Sequence, residues 1–108
     1  MTETILVYIT CKNVKQAKAI GTHLLQKRLA GCINIFPKIH SLYFWPPKSR
    51  KIESANETVI LVKTIKSKYK TIESEVHKVH TFQTPAIFAI PLLDMERKYL
   101  TWLTNEIV

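Results

Sequence analysis

Few residues of this chain have the side chains and positions that metal binding requires. Cys11 follows the first predicted strand, and His80 follows the second predicted helix. In the topology derived below, the ends of that strand and that helix lie at the same edge of the sheet, so the two side chains can approach each other. A thiolate and an imidazole suit Cu(I) and Zn(II), but two ligands do not complete a four-coordinate site. We therefore expect weak binding of copper or another divalent metal at Cys11 and His80, with no cofactor required.

The same two residues also have a purely structural interpretation. Cys11 has the size and polarity of a half-buried core residue. His80 would cap the C-terminus of its helix, where a partial positive charge is favourable. Both interpretations stay open at this point.

Motifs for catalysis and for nucleic-acid binding are missing from the sequence. No spacing identifies a Ser-His-Asp triad, and neither a phosphate-binding P-loop nor an H-E-x-x-H motif is present. The loop after the first strand, residues 10–14, has one cysteine where copper chaperones of this topology have C-x-x-C. Residues 58–63 have no aromatic side chain that could stack on an RNA base. The sequence therefore predicts a protein that is not an enzyme and has no specific nucleic-acid partner.

The charges are distributed unevenly along the chain. Residues 1–54 contain nine bases and two acids, whereas residues 55–108 contain seven bases and six acids. The net charge of +8 favours anionic partners but indicates nothing about the fold. Two cysteines are too few for a disulfide framework, and no apolar run approaches the ~20 residues that span a bilayer. With no basic leader in Met1–Thr4, these features predict a cytoplasmic protein with reduced thiols and no membrane partner.

The pattern of apolar residues predicts four strands and three helices in one domain, residues 1–108. Strands are predicted at residues 5–9, 32–36 with a resumption at 39–45 after a break or bulge at Pro37, 58–62 and 86–90. The helices are predicted to follow caps at Asn13, Ser67 and Asp94, and Gly31 is predicted to stop the first helix. This β-α-β-β-α-β order with a further C-terminal helix is typical of an α+β, ferredoxin-like sandwich with an antiparallel sheet.

Several predicted strands are apolar at successive positions instead of alternate ones. Runs such as Val59–Val62 are expected when both faces of a sheet are buried, and the predicted helices are too few to cover both. A partner subunit is the economical cover, which predicts a homo-oligomer. Exposed aromatic side chains are more often subunit contacts than ligand cages. The interface candidates are Tyr43, Phe44, Trp45, Val59, Leu61 and Trp102.

Five segments of the chain resemble the CutA family of divalent-cation tolerance proteins. The most specific is Arg28 to Asn34, and the others, in order, are Ser41 to Trp45, Val59 to Thr64, His80 to Pro85 and Tyr99 to Leu103. The resemblance implies a ferredoxin-like homotrimer around a three-fold axis and a role in metal tolerance, with copper bound by some members.

The chain also departs from the usual pattern of that family. The hairpin tip, Pro46–Lys51, is longer and more basic than the usual E-G-K. Around the retained His80, the usual H-P-Y-E-x-P-E is replaced by a segment without its two carboxylates and phenol, in which the changed positions are Thr81, Phe82, Gln83 and Ala86.

These observations favour a non-enzymatic trimer linked to divalent-metal tolerance. The alternative is an adaptor similar to the trimeric PII-type regulators, which bind nucleotides, metabolites or partner proteins in clefts between subunits. Lys63, Lys66 and the basic hairpin offer candidate phosphate contacts, and Tyr43 and Trp45 offer candidate walls for such a cleft.

Overall fold

The computed structural model describes residues 3–108, so the first two residues of the predicted domain lie outside the described part. The elements are, in chain order, β1 (Thr4–Cys11), α1 (Val14–Gln26), β2 (Cys32–Phe44), β3 (Ile52–Ile65), α2 (Tyr69–Val79), β4 (Ile87–Pro91) and α3 (Arg97–Glu106). A short 3-10 turn, Lys66–Lys68, leads into α2. The strands form one antiparallel sheet in the order β2-β3-β1-β4. The predicted α+β fold with an added C-terminal helix is confirmed.

Two local predictions are also confirmed. Asn13 caps α1, because its side-chain oxygen accepts from the Gln16 N–H at 2.8 Å while the Gln16 side chain accepts from the Lys12 N–H at 2.8 Å. The pairing of β2 with β3 shifts register between Phe36 and Ile39, which is the bulge expected at Pro37.

Three predicted helix signals are wrong. Helix α1 stops before Gly31, at Gln26, and Arg28 turns the chain with a φ of 57°. No side chain caps α2 or the 3-10 turn that precedes it, so Ser67 does not cap this helix. Glu96, and not Asp94, caps α3, because its carboxylate accepts from the N–H groups of Lys98 and Tyr99.

Strand β3 is much longer than the predicted residues 58–62 because its first half pairs with the second half of β2. The two strands form a hairpin arm that runs to the pair Phe44 and Ile52, beyond the end of β1 opposite Thr58. The arm places Tyr43 and Phe44 well away from the centre of the sheet.

Helices α1 and α2 cover one face of the sheet, which we call the helix face. Its core includes Val7, Ile9, Ile60 and Val62 from the central strands, all fully buried. Because strand side chains alternate, their neighbours Tyr8 and Leu61 lie on the opposite face, which we call the open face. Within residues 3–108, no helix is long and apolar enough to cross a membrane.

Helix α3 packs on one end of the open face. Its Leu103 is fully buried, and a Cβ atom added at Gly31 would lie 2.5 Å from the Leu103 Cδ1 atom. Gly31 is therefore required by this close approach and not by the end of α1. Elsewhere on the open face, large side chains such as Phe36 and Phe88 stay exposed within one chain.

Candidate functional site

Cys11 lies at the end of β1 with its side chain buried on the helix face. Burial, with a smaller contribution from the negative charge of Glu57, raises the pKa of the Cys11 thiol to about 12. The group is therefore a neutral thiol at physiological pH, whereas the thiolate is the form that binds metal. Both cysteines are free, and their partners on β3, Thr58 and Lys63, are five residues apart, roughly 17 Å along the strand.

His80 follows α2 and uses both of its ring nitrogens. The Nε2–H group donates to the Thr10 carbonyl oxygen at 2.7 Å, and Nδ1 accepts from the Phe82 N–H at 2.9 Å. These partners require the tautomer with its proton on Nε2. His80 therefore ties the segment after α2 to the end of β1, and in this arrangement it has no free lone pair for a metal ion.

The residues predicted to bind a metal ion do not fit a metal centre as they stand. Cys11 is protonated and buried, and the lone pair of His80 is already bonded. Within residues 3–108, no group of three or more His, Cys, Asp and Glu side chains is arranged to hold a metal ion. Metal binding at Cys11 and His80 stays a prediction, and it would require both side chains to leave their present contacts.

The four predicted cleft residues are not brought together within one chain. The Lys63 Nζ atom lies 5.5 Å from the centre of the Tyr99 ring under α3, and the Lys66 Nζ atom lies 3.3 Å from a carboxylate oxygen of Glu3. Tyr43 pairs with Glu53, which is ten residues before Lys63 on β3, or roughly 34 Å. Tyr43 and Trp45 thus belong to the hairpin arm, far from the two lysines.

A large open cavity, which sequence reasoning missed, lies beside the hairpin arm. Its volume is about 850 Å³, and we call it the aromatic cavity because its walls contain Tyr8, Tyr43, Phe44, Trp45, Phe82 and Phe88. Strands β1 and β4, the arm and the segment after His80 each contribute to its walls. The sequence signals were the aromatic run at 43–45 and the departures at Gln83 and Ala86, both of which line it.

The six predicted interface residues divide into three groups. Tyr43, Phe44, Trp45 and Trp102 are exposed, as free interface residues would be. Leu61 is half-buried on the open face. Val59 is only 3% exposed, so it already belongs to the interior of one chain.

The fold and this site define a class: an α+β, ferredoxin-like domain with an added C-terminal helix and an uncovered sheet face. The family model described as CutA1 divalent ion tolerance protein matches residues 5–106. The chain belongs to this family.

Relatives and solved structures agree with this assignment. The divalent-cation tolerance protein CutA of Archaeoglobus fulgidus is 38% identical over 94% of this chain and 95% of its own length. The chloroplastic CutA protein of Arabidopsis thaliana is 33% identical, and the chain spans 55% of that protein. The crystal structure of CutA1 from Oryza sativa superposes with a TM-score of 0.92, is 30% identical, and is covered over 98% of this chain and 94% of that one. The resemblance seen in the sequence is confirmed.

Proposed function

We propose that this chain is a non-enzymatic homotrimer that acts in tolerance of divalent cations, copper among them, and binds metal ions only weakly. The family assignment supports the cation part of the proposal. The trimer, the copper specificity and the absence of catalysis go beyond that assignment.

One observation carries the proposal of an oligomer: the open face and the hairpin arm expose large apolar side chains that no helix of the same chain covers. Leu42 is 69% exposed and Phe36 is 50% exposed, whereas Val7, Ile60 and Val62 on the helix face have no exposed surface. The other exposed members are Phe44, Trp45, Ile52, Phe88 and Ile90, and Trp102 on α3 is exposed as well. An apolar surface of this extent marks an interaction site, and the outer strands β2 and β4 leave unpaired edges beside it.

Weak metal binding follows from the geometry of Cys11 and His80. A metal ion would have to displace the Phe82 N–H from His80 and deprotonate a thiol whose pKa is about 12. Both steps oppose binding, so we expect micromolar or weaker affinity for Cu(II) and Zn(II).

Sedimentation tests the assembly. At micromolar concentration we expect about three times the 12.5 kDa chain mass. Phe36→Asp, on the open face, should dissociate the trimer because a charge would be buried without a partner. Leu25→Asp is the matched control, since Leu25 is exposed on α1 and should tolerate the same change. A folded wild-type monomer would contradict the proposal.

Calorimetric titration of the assembled protein with CuCl₂, ZnCl₂ and ATP separates the two functional classes. Weak heats with both metals and none with ATP support cation tolerance. Tight, saturable ATP binding would instead favour the nucleotide-binding adaptor, with a site built from more than one subunit because Lys63 and Tyr43 are far apart in one chain.

The cytoplasmic location stays a prediction. The solved Archaeoglobus fulgidus relative, 36% identical with a TM-score of 0.89 over 95% of this chain and 97% of that one, is described as a periplasmic divalent cation tolerance protein. Fractionation of cells that express the tagged chain would decide between the two compartments.

A further inference from the structure

We propose that a groove on the outer side of α1 and α2 binds an acidic, amphipathic helix of a partner protein. Its walls are residues of α1 between Gln16 and Gln26, together with Val79 at the end of α2, and we call it the α1–α2 groove. The proposed trimer covers the open face and the hairpin arm, which include the aromatic cavity, and leaves this groove accessible. The partner is a protein, so it is a ligand of a different kind from the divalent cations of the proposed function.

Most of the net charge of the chain lies on the two helices that cover the helix face. Residues 12–28 and 66–80, which we call the helix layer, contain nine bases and two acids, a net charge of +7. The rest of the chain contains seven bases and six acids. A surface with such an excess of positive charge attracts partners of the opposite sign.

The lysines at the start of α1 are free to bind such a partner. Helix α1 contains no acid, and Glu75, one of the two acids of the helix layer, is buried and lies within 3.5 Å of three basic side chains. By contrast, Lys12, Lys15 and Lys18 are exposed, and within residues 3–108 none of them takes part in an ion pair. Their ammonium groups can therefore pair with carboxylates of another molecule.

The α1–α2 groove adds an apolar surface beside these charges. Its volume is about 510 Å³, and no acid lines it. Ile20 in its lining is buried, and Val79 is 40% exposed. Ala19 and Thr22 are exposed and small, which lets a second helix approach α1 closely. Lys18 lines the same groove, so the groove can accept an apolar side chain while Lys18 binds a carboxylate beside it.

Two other kinds of anionic partner fit this surface less well. In the two described segments of the helix layer, the large apolar side chains that are exposed are Leu25 and Val79, and neither is aromatic. Lipid surfaces are bound by helices that insert a broad apolar face with Trp, Phe or Leu. Single-stranded nucleic acids are bound by aromatic side chains that stack on the bases. An acidic helix needs only a short apolar contact flanked by cations, and the groove provides both.

Three synthetic peptides of about 15 residues, long enough to form a helix, test the proposal. The first has leucines at positions i, i+3, i+4 and i+7 with glutamates beside them. The second has lysine in place of every glutamate, and the third has glutamine in place of every leucine. Each peptide carries a fluorophore, and its anisotropy is followed as the assembled protein is added at about 0.15 M salt, where diffuse attraction is largely screened.

We expect the first peptide to bind most tightly and the second not to bind. The third should bind at least about ten-fold more weakly than the first, because buried leucine side chains supply much of the affinity. In the ¹⁵N-labelled protein, the largest amide shifts caused by the first peptide should fall between Gln16 and Gln26 and at Val79.

Two pairs of variants separate the charge from the groove. Lys18→Gln should weaken the first peptide by about two- to five-fold, the range of a partly exposed ion pair. Lys70→Gln is its control, because Lys70 is exposed near the start of α2 and does not line the groove. Ala19→Gln should weaken the first peptide by about five-fold or more, because added side-chain volume must be accommodated in a close contact. Ser74→Gln is its control, since Ser74 is exposed on α2 outside the groove.

Four results would overturn the proposal. The first is no binding of the acidic peptide to the assembled protein, and the second is equal affinity of the leucine and glutamine peptides. The third is an equal effect of the two variants in either pair. The fourth is tighter binding of oligothymidylate or of phosphatidylserine vesicles that Ala19→Gln does not weaken, which would make the helix layer a general anion surface. Sedimentation and metal titration of every variant need no peptide, so they keep these results distinct from failure of the proposed trimer or of cation binding.

Discussion

The two faces of the sheet differ in how completely one chain covers them. On the helix face, Val7, Ile60 and Val62 are fully buried under α1 and α2. On the open face, α3 covers one end, while Phe36 and Phe88 remain about half exposed. The helix face is thus covered within the single chain, whereas much of the open face would be covered only in the proposed trimer.

The largest expected effect comes from truncating one residue on each face. Ile60→Ala removes a fully buried side chain from the helix face and should lower the free energy of unfolding by about 2–5 kcal/mol. Phe36→Ala, on the open face, should instead raise the concentration at which the proposed trimer dissociates, at least several-fold. Urea unfolding and sedimentation of both variants measure the two quantities.

The contrast would be broken by a Phe36→Ala protein that assembles like the wild type. In that event the open face is not an interface, and its apolar residues need another explanation. An Ile60→Ala protein with unchanged urea midpoint would equally contradict the division of roles.

The next effect concerns the two glycines, Gly21 on the helix face and Gly31 next to α3 on the open face. At Gly31, an added Cβ would meet the buried Leu103 side chain of α3 at 2.5 Å and its carbonyl oxygen at 3.3 Å. Gly31→Ala should therefore cost about 1–3 kcal/mol by overpacking the covered end of the open face. At Gly21, within α1, the nearest atom is a methyl group of Ile33 at 3.1 Å, and alanine also favours helix.

Gly21→Ala is thus the control for Gly31→Ala, with an expected change within about 1 kcal/mol of zero. Thermal unfolding of both variants at equal concentration provides the measurement. If Gly31→Ala loses no more stability than Gly21→Ala, then Leu103 and α3 move aside to accommodate the added methyl group.

The elements that could be predicted from the sequence are those fixed by neighbours in the chain. Asn13 and Gln16 are three residues apart, and Pro37 disturbs its own strand. Both the helix cap and the bulge could therefore be predicted from neighbouring residues. Gly31 was misinterpreted because its requirement is set by Leu103, seventy-two residues later.

The same limit applies to the candidate site. His80 was correctly placed at the end of a helix, but the bonds that occupy its ring depend on Thr10 and Phe82, and only the fold brings Thr10 there. The aromatic cavity was missed for the same reason, since its walls come from β1, β4, the hairpin arm and the segment after α2. The sequence shows that these aromatic residues are present, but it does not show that they line one cavity.

A smaller expected effect is a pH dependence of stability that arises on the helix face. Glu75 on α2 joins the helices that cover the helix face: its oxygens lie 2.7 Å from the Lys78 Nζ atom, 2.9 Å from the His23 Nε2 atom and 3.5 Å from the Lys27 Nζ atom. The hydrogen bond from Lys78, followed by that from His23, lowers the pKa of Glu75 from 4.5 to about 2. A carboxyl group with a lowered pKa stabilises the fold above its unfolded pKa and loses that contribution as the pH falls towards its folded pKa.

Glu75→Gln should therefore destabilise the protein above about pH 5 and have progressively less effect between pH 4.5 and 2. Glu73→Gln is the control on the same helix, since Glu73 is more exposed and lies 3.9 Å from Lys70. Urea unfolding at several pH values gives the comparison. A Glu75→Gln effect that is constant across this pH range would mean that the ionised carboxylate does not join the two helices.

The smallest expected effect is on metal affinity, and it concerns the junction between the two faces. His80 follows a helix of the helix face and fixes the segment that forms a wall of the aromatic cavity, through its bonds to Thr10 and Phe82. His80→Ala should lower thermal stability, because a partly buried carbonyl loses its partner at a cost of about 1–3 kcal/mol. The Cu(II) affinity of the assembled protein should also fall, because one of the two proposed ligands is lost, but only by a small factor, because a metal ion gains His80 only by breaking its bond to Phe82. Calorimetric copper titration alongside thermal unfolding measures both quantities, and an unchanged titration curve would mean that the metal does not bind at His80.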